Sequence, residues 1–253
     1  MPDLKSRVAA WTRPVLEPTP VSMRRLALAG VIANTVIMST GAAVRLSASG
    51  LGCPDWPRCS TADIVASKNA GQTLLNTWIE FGNRLLNFPL VVIAALVFIA
   101  AWRFRPGGPG TGRRRDLVWL GAAQPLGVVA QAVIGGIVVL TKLSPATVSV
   151  HFLVSAAVVA AAVALHMRCA EIASTSGASG TTTVRRDLRL IAGTLVAVTC
   201  VMLAAGTVVT GTGPLAGDAG VPRYNLPLEG VTQLHADIGW LLAGLSIALV
   251  LGL

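Results

Sequence analysis

The stretch "LVWLGAAQPLGVVAQAVIGGIVVL", residues 117–140, decides the fold. It contains no charged side chain over its 24 residues. An α-helix rises 1.5 Å per residue, so about 20 apolar residues cross the hydrocarbon core of a bilayer. The stretch therefore predicts a membrane-spanning helix. Five further apolar runs of comparable length predict five more spans: Leu26–Leu46, Leu85–Trp102, Thr147–Met167, Leu188–Val209 and Val231–Leu253.

The composition of the whole chain supports the same fold class, an all-α polytopic membrane protein. The 253 residues are 53% AVILMFWYC and only 12% DEKR, with a mean hydropathy of +0.69. A soluble globular chain carries about 25% charged residues. This composition excludes a disordered chain, a soluble enzyme with a polar surface and a secreted disulfide miniprotein.

The net charge of +9 does not indicate nucleic acid as a partner, because the basic residues form short clusters between apolar runs. Fourteen of the 20 Lys and Arg residues lie in the N-terminal segment 1–25 and in the loops 103–115 and 168–189. By the positive-inside rule these parts are cytoplasmic. The sequence therefore predicts a multi-pass cell-membrane protein with a cytoplasmic N-terminus, whose first helix is an uncleaved anchor.

An internal repeat predicts how the spans are organised. "STGAAVRLSASGLGCPD" (39–55) ends the first span, and "VVTGTGPLAGD" (208–218) ends the fifth. Both run from Thr-Gly through a Gly-rich turn to an Asp, although a chance resemblance of Gly-rich helix ends remains the alternative. Spans five and six would then be a second copy of spans one and two, which aligns Asn83 with His235.

The repeat predicts a cytoplasmic segment (1–25), an N-terminal four-helix bundle (26–170), a cytoplasmic linker (171–187) and the first two helices of a second bundle (188–253). The last apolar run reaches Leu253 without a polar cap. We therefore expect a truncated chain with six spans of an expected eight; the alternative is a six-span protein with a bare end.

Two of the three histidines are candidates for function. His151 and His235 each lie near the predicted outer end of a span, and an ionisable residue inside a membrane is a functional hypothesis by default. The alternative is an interfacial histidine hydrogen-bonded to the backbone. His166 follows His151 by fifteen residues, about 22 Å along a helix. The two cannot share a metal, and we expect His166 to be structural.

A polar group opens the second predicted span. Glu80, Asn83 and Arg84 are spaced three and four residues apart, so they share one helical face. Glu80 is a candidate proton donor or acceptor, or a hydrogen-bond partner for a substrate. The alternative is an acid at a helix N-terminus, which the helix dipole favours.

Cysteines and glycines supply the remaining candidates. Cys53 and Cys59 bracket "CPDWPRC" and, on an oxidising outer face, predict a disulfide or a redox pair. A zinc site would need four ligands, and this loop holds no histidine. Cys169 and Cys200 are expected to be buried thiols. Gly135–Gly136 allow either helix packing or the close approach of a flat cofactor.

Together these residues resemble the haem A synthase family of cytochrome oxidase assembly enzymes. The stretches that carry the resemblance are "TGAAVRLSASGLGCPDWPRC" (40–59), "WIEFGNRLL" (78–86), "QAVIGGIVVLTKLSPATVSVHF" (131–152) and "GTVVTGTGPLAGD…QLHADIGW" (206–240). They occur in the family's order and cover most of residues 30–245. The run "GLGCPDWPRC" is the most specific of them.

The resemblance implies two pseudo-symmetric four-helix bundles, each with a haem near the outer face. The reaction would be O2-dependent oxidation of the haem O methyl group to a formyl group, with haem b as cofactor and haem O as substrate. Glu80 would be the functionally important acid and Cys53–Cys59 the outer cysteine pair. His151 and His235 would be iron ligands from the fourth and sixth helices. Because half of the second haem site would lie in the missing spans, we expect the truncated chain to be inactive.

The chain departs from the family pattern at one predicted ligand. Where the family motif reads Glu-x-x-His-Arg, this chain has Asn83 before Arg84, and an amide is a poor haem ligand beside imidazole. We hypothesise that Asn83 leaves an open iron position beside His151; the alternative is that it disables the site. Arg84 and Arg45 are candidates for contact with haem propionates, or boundary arginines that reach the lipid headgroups.

The resemblance implies as partners haem O, the farnesyltransferase that makes haem O, an electron donor and the lipid bilayer; it is compatible with a homo-oligomer. Two other functions stay open at this point. A non-catalytic haem-binding assembly or sensor protein would bind haem without making haem A. A small-solute transporter, which repeats also permit, would purify without haem.

Overall fold

The computed structural model describes residues 12–61, 63–66, 72–107, 112–175 and 184–253. Lys5, Arg7 and residues 176–183 of the predicted linker 171–187 lie outside these residues. Throughout the described residues the regular structure is helical and no strand occurs. After a short helical segment at 12–16, the helices are α1 (Pro20–Leu46), α2 (Leu74–Leu85), α3 (Asn87–Arg103), α4 (Arg115–Leu140), α5 (Pro145–Thr175), α6 (Arg186–Thr212) and α7 (Leu228–Gly252).

Six helical segments of the described chain are long and apolar enough to cross a membrane, because α2 and α3 together make one span, Leu74–Arg103. The predicted fold class, an all-α polytopic membrane protein, is confirmed. The predicted spans also agree in number and order.

The second span begins eleven residues before its predicted start at Leu85. The added segment, "LLNTWIEFGNRL", carries polar side chains that hide it from a search for apolar runs. α2 ends where Leu86 separates it from α3. Pro89 explains the interruption, because proline has no N–H to donate to the carbonyl group of Leu85.

The structure divides into two compact units. The first unit holds the described residues of Met1–Ala43, Trp78–Gly135 and Val154–Ser179, and the second holds those of Val44–Thr77, Gly136–Leu153 and Gly180–Leu253. The predicted division into bundles 26–170 and 188–253 stays a prediction.

The helices of the first unit approach each other at small residues. A Cβ atom placed on Gly121 of α4 would lie 2.7 Å from Ala101 Cβ of α3, and one on Gly127 would lie 2.6 Å from Val158 Cγ2 of α5. Small residues let the helix backbones approach closely, which favours van der Waals packing between helices in lipid. The buried core of this unit comprises Val15, Met23, Ala27, Val97, Ala100, Ala101, Phe104, Leu117, Leu165 and Cys169.

In the second unit, α6 and α7 pack against each other, and the loops after α1 and α6 meet at two glycines. The amide of Gly50 donates to the carbonyl oxygen of Gly217 at 2.9 Å. A Cβ atom on Gly50 would lie 2.6 Å from Leu143 Cδ2 and 3.1 Å from that same oxygen. Gly217 has φ +105°, a conformation that L side chains rarely adopt. The junction therefore requires glycine on both sides.

Candidate functional site

Glu80 lies inside α2, in the first unit, rather than at its start. α2 begins at Leu74, so Glu80 is past the first turn, and the alternative of an acid at the helix N-terminus is wrong. Its side chain is only 8% exposed, and Arg84 Nη2 donates to Glu80 Oε1 at 2.5 Å. Arg84 Nε donates to the same oxygen at 3.2 Å. The predicted shared face is confirmed for this pair.

Asn83 makes a different contact from its two neighbours on α2. Thr40 Oγ1 of α1 donates to Asn83 Oδ1 at 2.7 Å. A Cβ atom on Gly41, the next residue, would lie 4.0 Å from Asn83 Nδ2. The amide oxygen that would face a metal thus already accepts a hydrogen bond between helices. The predicted role of Asn83 beside a haem stays a prediction.

His151 lies in the second turn of α5 and belongs to the second unit. α5 begins at Pro145, a residue whose fixed φ suits the first helical position. A tight turn precedes it, in which Thr141 Oγ1 lies 2.9 Å from Thr147 Oγ1. This turn fixes where α5 starts and therefore where the half-buried imidazole lies.

His235 lies in the third turn of α7, against the backbone of α6 in the same unit. A Cβ atom on Gly206 would lie 3.1 Å from His235 Cε1 and 3.7 Å from Nδ1. The glycine therefore leaves the space that the ring uses. His235 Nδ1 is buried and has no hydrogen-bond partner among the described residues. A buried ring nitrogen without a partner suits an imidazole that binds a further group.

Arg45 connects the end of α1 with α6, one turn from Gly206. Its Nη1 donates to Thr210 Oγ1 at 2.7 Å, and Thr210 Oγ1 in turn donates to the Gly206 carbonyl oxygen at 2.9 Å. The Thr210 hydroxyl thus acts as both acceptor and donor, and it orients the Arg45 guanidinium.

The cysteine loop is anchored to α4 by an aromatic ring. The Sγ atoms of Cys53 and Cys59 lie at disulfide-bonding distance, and both residues are buried. A Cβ atom on Gly136 would lie 2.6 Å from Trp56 Cδ2 and 2.9 Å from Cε2. The group that lies on Gly136 is therefore the Trp56 indole, and the approach of a flat cofactor to Gly135–Gly136 stays a prediction.

The structure sorts the remaining candidates. His166 Nδ1 lies 3.2 Å from the Arg24 carbonyl oxygen, which fits its expected structural role. Cys169 is buried as predicted, whereas Cys200 is exposed. The prediction for Cys200 is wrong because an apolar span has a lipid-facing side, and hydropathy does not distinguish it from the packed side.

Sequence reasoning missed the groups that contact the predicted site residues: Thr40, Gly206 and Thr210. The repeated Thr-Gly step was the available signal for two of them. Both threonines of that step bond to a polar side chain of another helix, Thr40 to Asn83 and Thr210 to Arg45. Among the described residues, no group of three His, Cys, Asp or Glu side chains could hold a bare metal ion.

Comparison with known families gives a match to the COX15-CtaA family, described as "Cytochrome oxidase assembly protein", over residues 24–230. The chain belongs to this family. The match includes most of α1, all of α2 to α6 and every candidate described above except His235. The family resemblance seen in the sequence motifs is confirmed.

Curated relatives carry the name "Heme A synthase". The protein of Geobacillus thermodenitrificans is 27% identical over 115 residues, 45% of this chain and 32% of its own length. That of Bacillus cereus (strain G9842) is 30% identical over 126 residues, 48% and 35% of the two chains. That of Lysinibacillus sphaericus is 30% identical over 128 residues, 50% and 38%. The matched regions thus span about a third of these relatives, and no solved structure matches the chain.

Proposed function

We propose that this family member is a haem A synthase, a membrane oxidoreductase that oxidises the methyl group of haem O to a formyl group for cytochrome c oxidase maturation. Family membership over residues 24–230 and the name of the curated relatives support the proposal. Haem O is apolar, which suits a substrate that reaches its enzyme through the bilayer.

The observation that carries the proposal is the setting of His235. Its imidazole lies against a glycine of the neighbouring helix, and its buried Nδ1 has no partner among the described residues. These features fit a haem, because an axial ligand needs a ring nitrogen that no protein group already occupies, and the glycine gives the imidazole room against the neighbouring helix. When bound, the haem supplies iron for chemistry with oxygen. We propose His151 as the histidine ligand to the iron of a separate haem, the one expected in the N-terminal bundle.

The chain's own residues would position the substrate and move protons. Glu80 is buried beside Arg84, and a carboxylate in an apolar bundle requires such a partner. We propose that Arg84 orients the Glu80 carboxylate, which takes up or releases a proton as the methyl group is oxidised. Cys53 and Cys59 would form a disulfide or a redox pair on the outer side of the membrane. A cytoplasmic N-terminus belongs to the same proposal.

The test is haem A formation in cells. The full-length protein is expressed in a host that makes haem O and lacks its own haem A synthase, and extracted haems are separated by chromatography. We expect haem A with the wild-type protein and a loss of about a hundredfold or more with Glu80→Gln, the size of a proton-transfer contribution. Glu229→Gln is the matched control, because Glu229 is exposed in the first turn of α7.

Two other outcomes would contradict the proposal. Bound haem without haem A formation would indicate a non-catalytic haem-binding protein. A purified chain that stays colourless when hemin is supplied would leave the transporter as the better function.

A further inference from the structure

Two arginines of the second unit carry buried guanidinium nitrogens without a partner. Arg45 Nε and Arg223 Nη1 are each shielded from solvent and form no hydrogen bond within the described residues. Neither arginine forms an ion pair with a described acidic side chain. A cation away from water is costly unless an anion pairs with it. Within the described residues, two positive charges of this unit therefore have no acidic partner.

Arg45 is fixed by contacts that leave one side of its guanidinium available. Nη1 donates to Thr210 Oγ1, and its stem lies beside the loop after α6, where a Cβ atom on Gly217 would be 3.8 Å from Arg45 Cγ. Thr210 is one helical turn, about 6 Å, from Gly206. Gly206 is the residue on which the His235 ring lies. Arg45 is thus anchored close to the proposed iron ligand.

Arg223 reaches the same loop from its other end. Its Nη2 donates to the carbonyl oxygens of Pro214 at 3.2 Å and Asp218 at 3.0 Å. The Asp218 carboxylate forms no ion pair with Arg223 in the described part of the chain; its Oδ2 accepts from Gln72 at 2.7 Å and its Oδ1 from the Gly220 amide at 3.1 Å. Both arginines therefore lie beside the loop 214–218, and both keep a spare donor.

We propose that Arg45 and Arg223 bind the two propionate carboxylates of the haem that His235 ligates. This inference rests on the proposed function and adds a second binding element to it. Guanidinium groups form strong charge-assisted hydrogen bonds with carboxylates, and two anchored arginines match the two acid groups of one porphyrin. The first repeat contributes Arg45 and the second contributes His235, so the haem would bind both copies of the repeat.

Capping of the C-terminus of its own helix is a weaker explanation for the position of Arg45. An arginine in the last turn of a helix often caps carbonyl oxygens of its own helix. Arg45 instead donates to a side chain of α6. A lipid phosphate offers the same anionic chemistry as a propionate, so the experiment must separate these two sources.

The experiment compares hemin with hemin dimethyl ester, whose propionates are uncharged. Each is titrated into the purified full chain in nanodiscs and followed by Soret absorbance. The part of the Soret titration curve that disappears in the variant His235→Ala is assigned to the proposed haem site at His235. We expect the wild-type chain to bind hemin about tenfold more tightly than the ester at this component, the effect of one or two charge-assisted hydrogen bonds.

Variants then assign the preference to the arginines. Arg45→Gln and Arg223→Gln should each reduce the ratio of hemin to ester affinity, whereas Arg45→Lys should retain part of it. Arg189→Gln is the matched control, since its guanidinium is exposed in the same unit and donates to a backbone carbonyl. The ester comparison on the wild-type chain needs no substitution, so it stands even if a variant fails to fold.

Each contrary result has a separate meaning. A wild-type chain that binds neither porphyrin contradicts the proposed function. Equal binding of hemin and ester, or a ratio unchanged in both glutamine variants, overturns the assignment of the arginines and leaves the proposed function intact. The amount of phosphatidylglycerol that stays bound to the purified chain is the readout for a lipid ligand. If the arginine variants lose this lipid while the ratio of hemin to ester affinity is unchanged, the propionate assignment is overturned and the arginines are assigned to lipid phosphate.

Discussion

At the scale of single residues, the pair Glu80–Arg84 is a buried ion pair of the first unit. The two side chains are 8% and 20% exposed, so each charge lies beside its opposite and largely away from water. Breaking a buried pair at one partner is costly, whereas removing both charges is often tolerated. The pair should therefore respond unequally to single and double substitution.

We predict that Glu80→Gln lowers the free energy of unfolding by about 3 kcal/mol, because it leaves Arg84 buried without its anion. Adding Arg84→Met to the variant should recover most of this loss. The measurement is reversible unfolding in mixed micelles, followed by circular dichroism.

The pair Arg13–Glu17 serves as the control. It has the same i,i+4 spacing and is 77% and 73% exposed. Glu17→Gln should change stability by no more than about 0.5 kcal/mol. Similar losses in the two variants would refute the burial argument.

The sequence predicted the Glu80–Arg84 contact because helical spacing alone places residues four apart on one face. It did not predict the bond between Asn83 and Thr40. That bond depends on which helix lies beside α2 and on the depth at which the two helices meet. A spacing rule for a single helix predicts neither the neighbouring helix nor this depth.

At the scale of helices, Gly206 lets α6 and α7 pack around the His235 ring. We predict that Gly206→Ala weakens hemin binding by about tenfold, since the new Cβ would lie 3.1 Å from His235 Cε1 and overpacking costs about 1–3 kcal/mol. Soret titration measures it. Gly193→Ala on the same helix is the control, because a Cβ there meets nothing within 4 Å; an equal loss would contradict the role of Gly206.

The contact of Trp56 with Gly136 makes a second prediction at this scale. Gly136→Ala would place a Cβ 2.6 Å from the indole, so the ring must move and the loop must loosen. We predict that a water-soluble phosphine reduces Cys53–Cys59 about tenfold faster in this variant, because overpacking by about 1–3 kcal/mol favours the opened loop. Mass spectrometry after thiol alkylation measures the rate.

Gly193→Ala serves as the control for this variant as well and should leave the reduction rate unchanged. A wild-type rate in Gly136→Ala would show that the indole does not protect the cysteines. The absence of any reducible bond in the wild-type chain would contradict the predicted disulfide itself.

At the scale of the whole molecule, the distribution of arginine predicts the orientation in the membrane. We predict that green fluorescent protein fluoresces when fused after residue 107 and that alkaline phosphatase is active when fused after residue 64. The arginine-rich loop 103–115 should stay in the cytoplasm. The exchanged fusions are the controls and should both be inactive; the opposite pattern would refute the orientation.

The number and order of spans were predictable because apolar length is a property of the chain itself. The start of the second span was not, since polar residues that are satisfied inside a bundle look like a loop in the sequence. The two compact units were not predictable either. Their boundaries cut through α1, α2, α4 and α5, and such groupings arise from packing between distant segments.

The hydrogen bond between Gly50 and Gly217 constrains how this protein can be recombined with its relatives. The loop after α1 and the loop after α6 pack directly against each other at these glycines, and neither loop tolerates a side chain at the junction. A chimera that takes one of the two loops from a homologue should assemble poorly, while one that takes both loops together should assemble well. The two loops are far apart in the sequence, but they should be inherited and exchanged together.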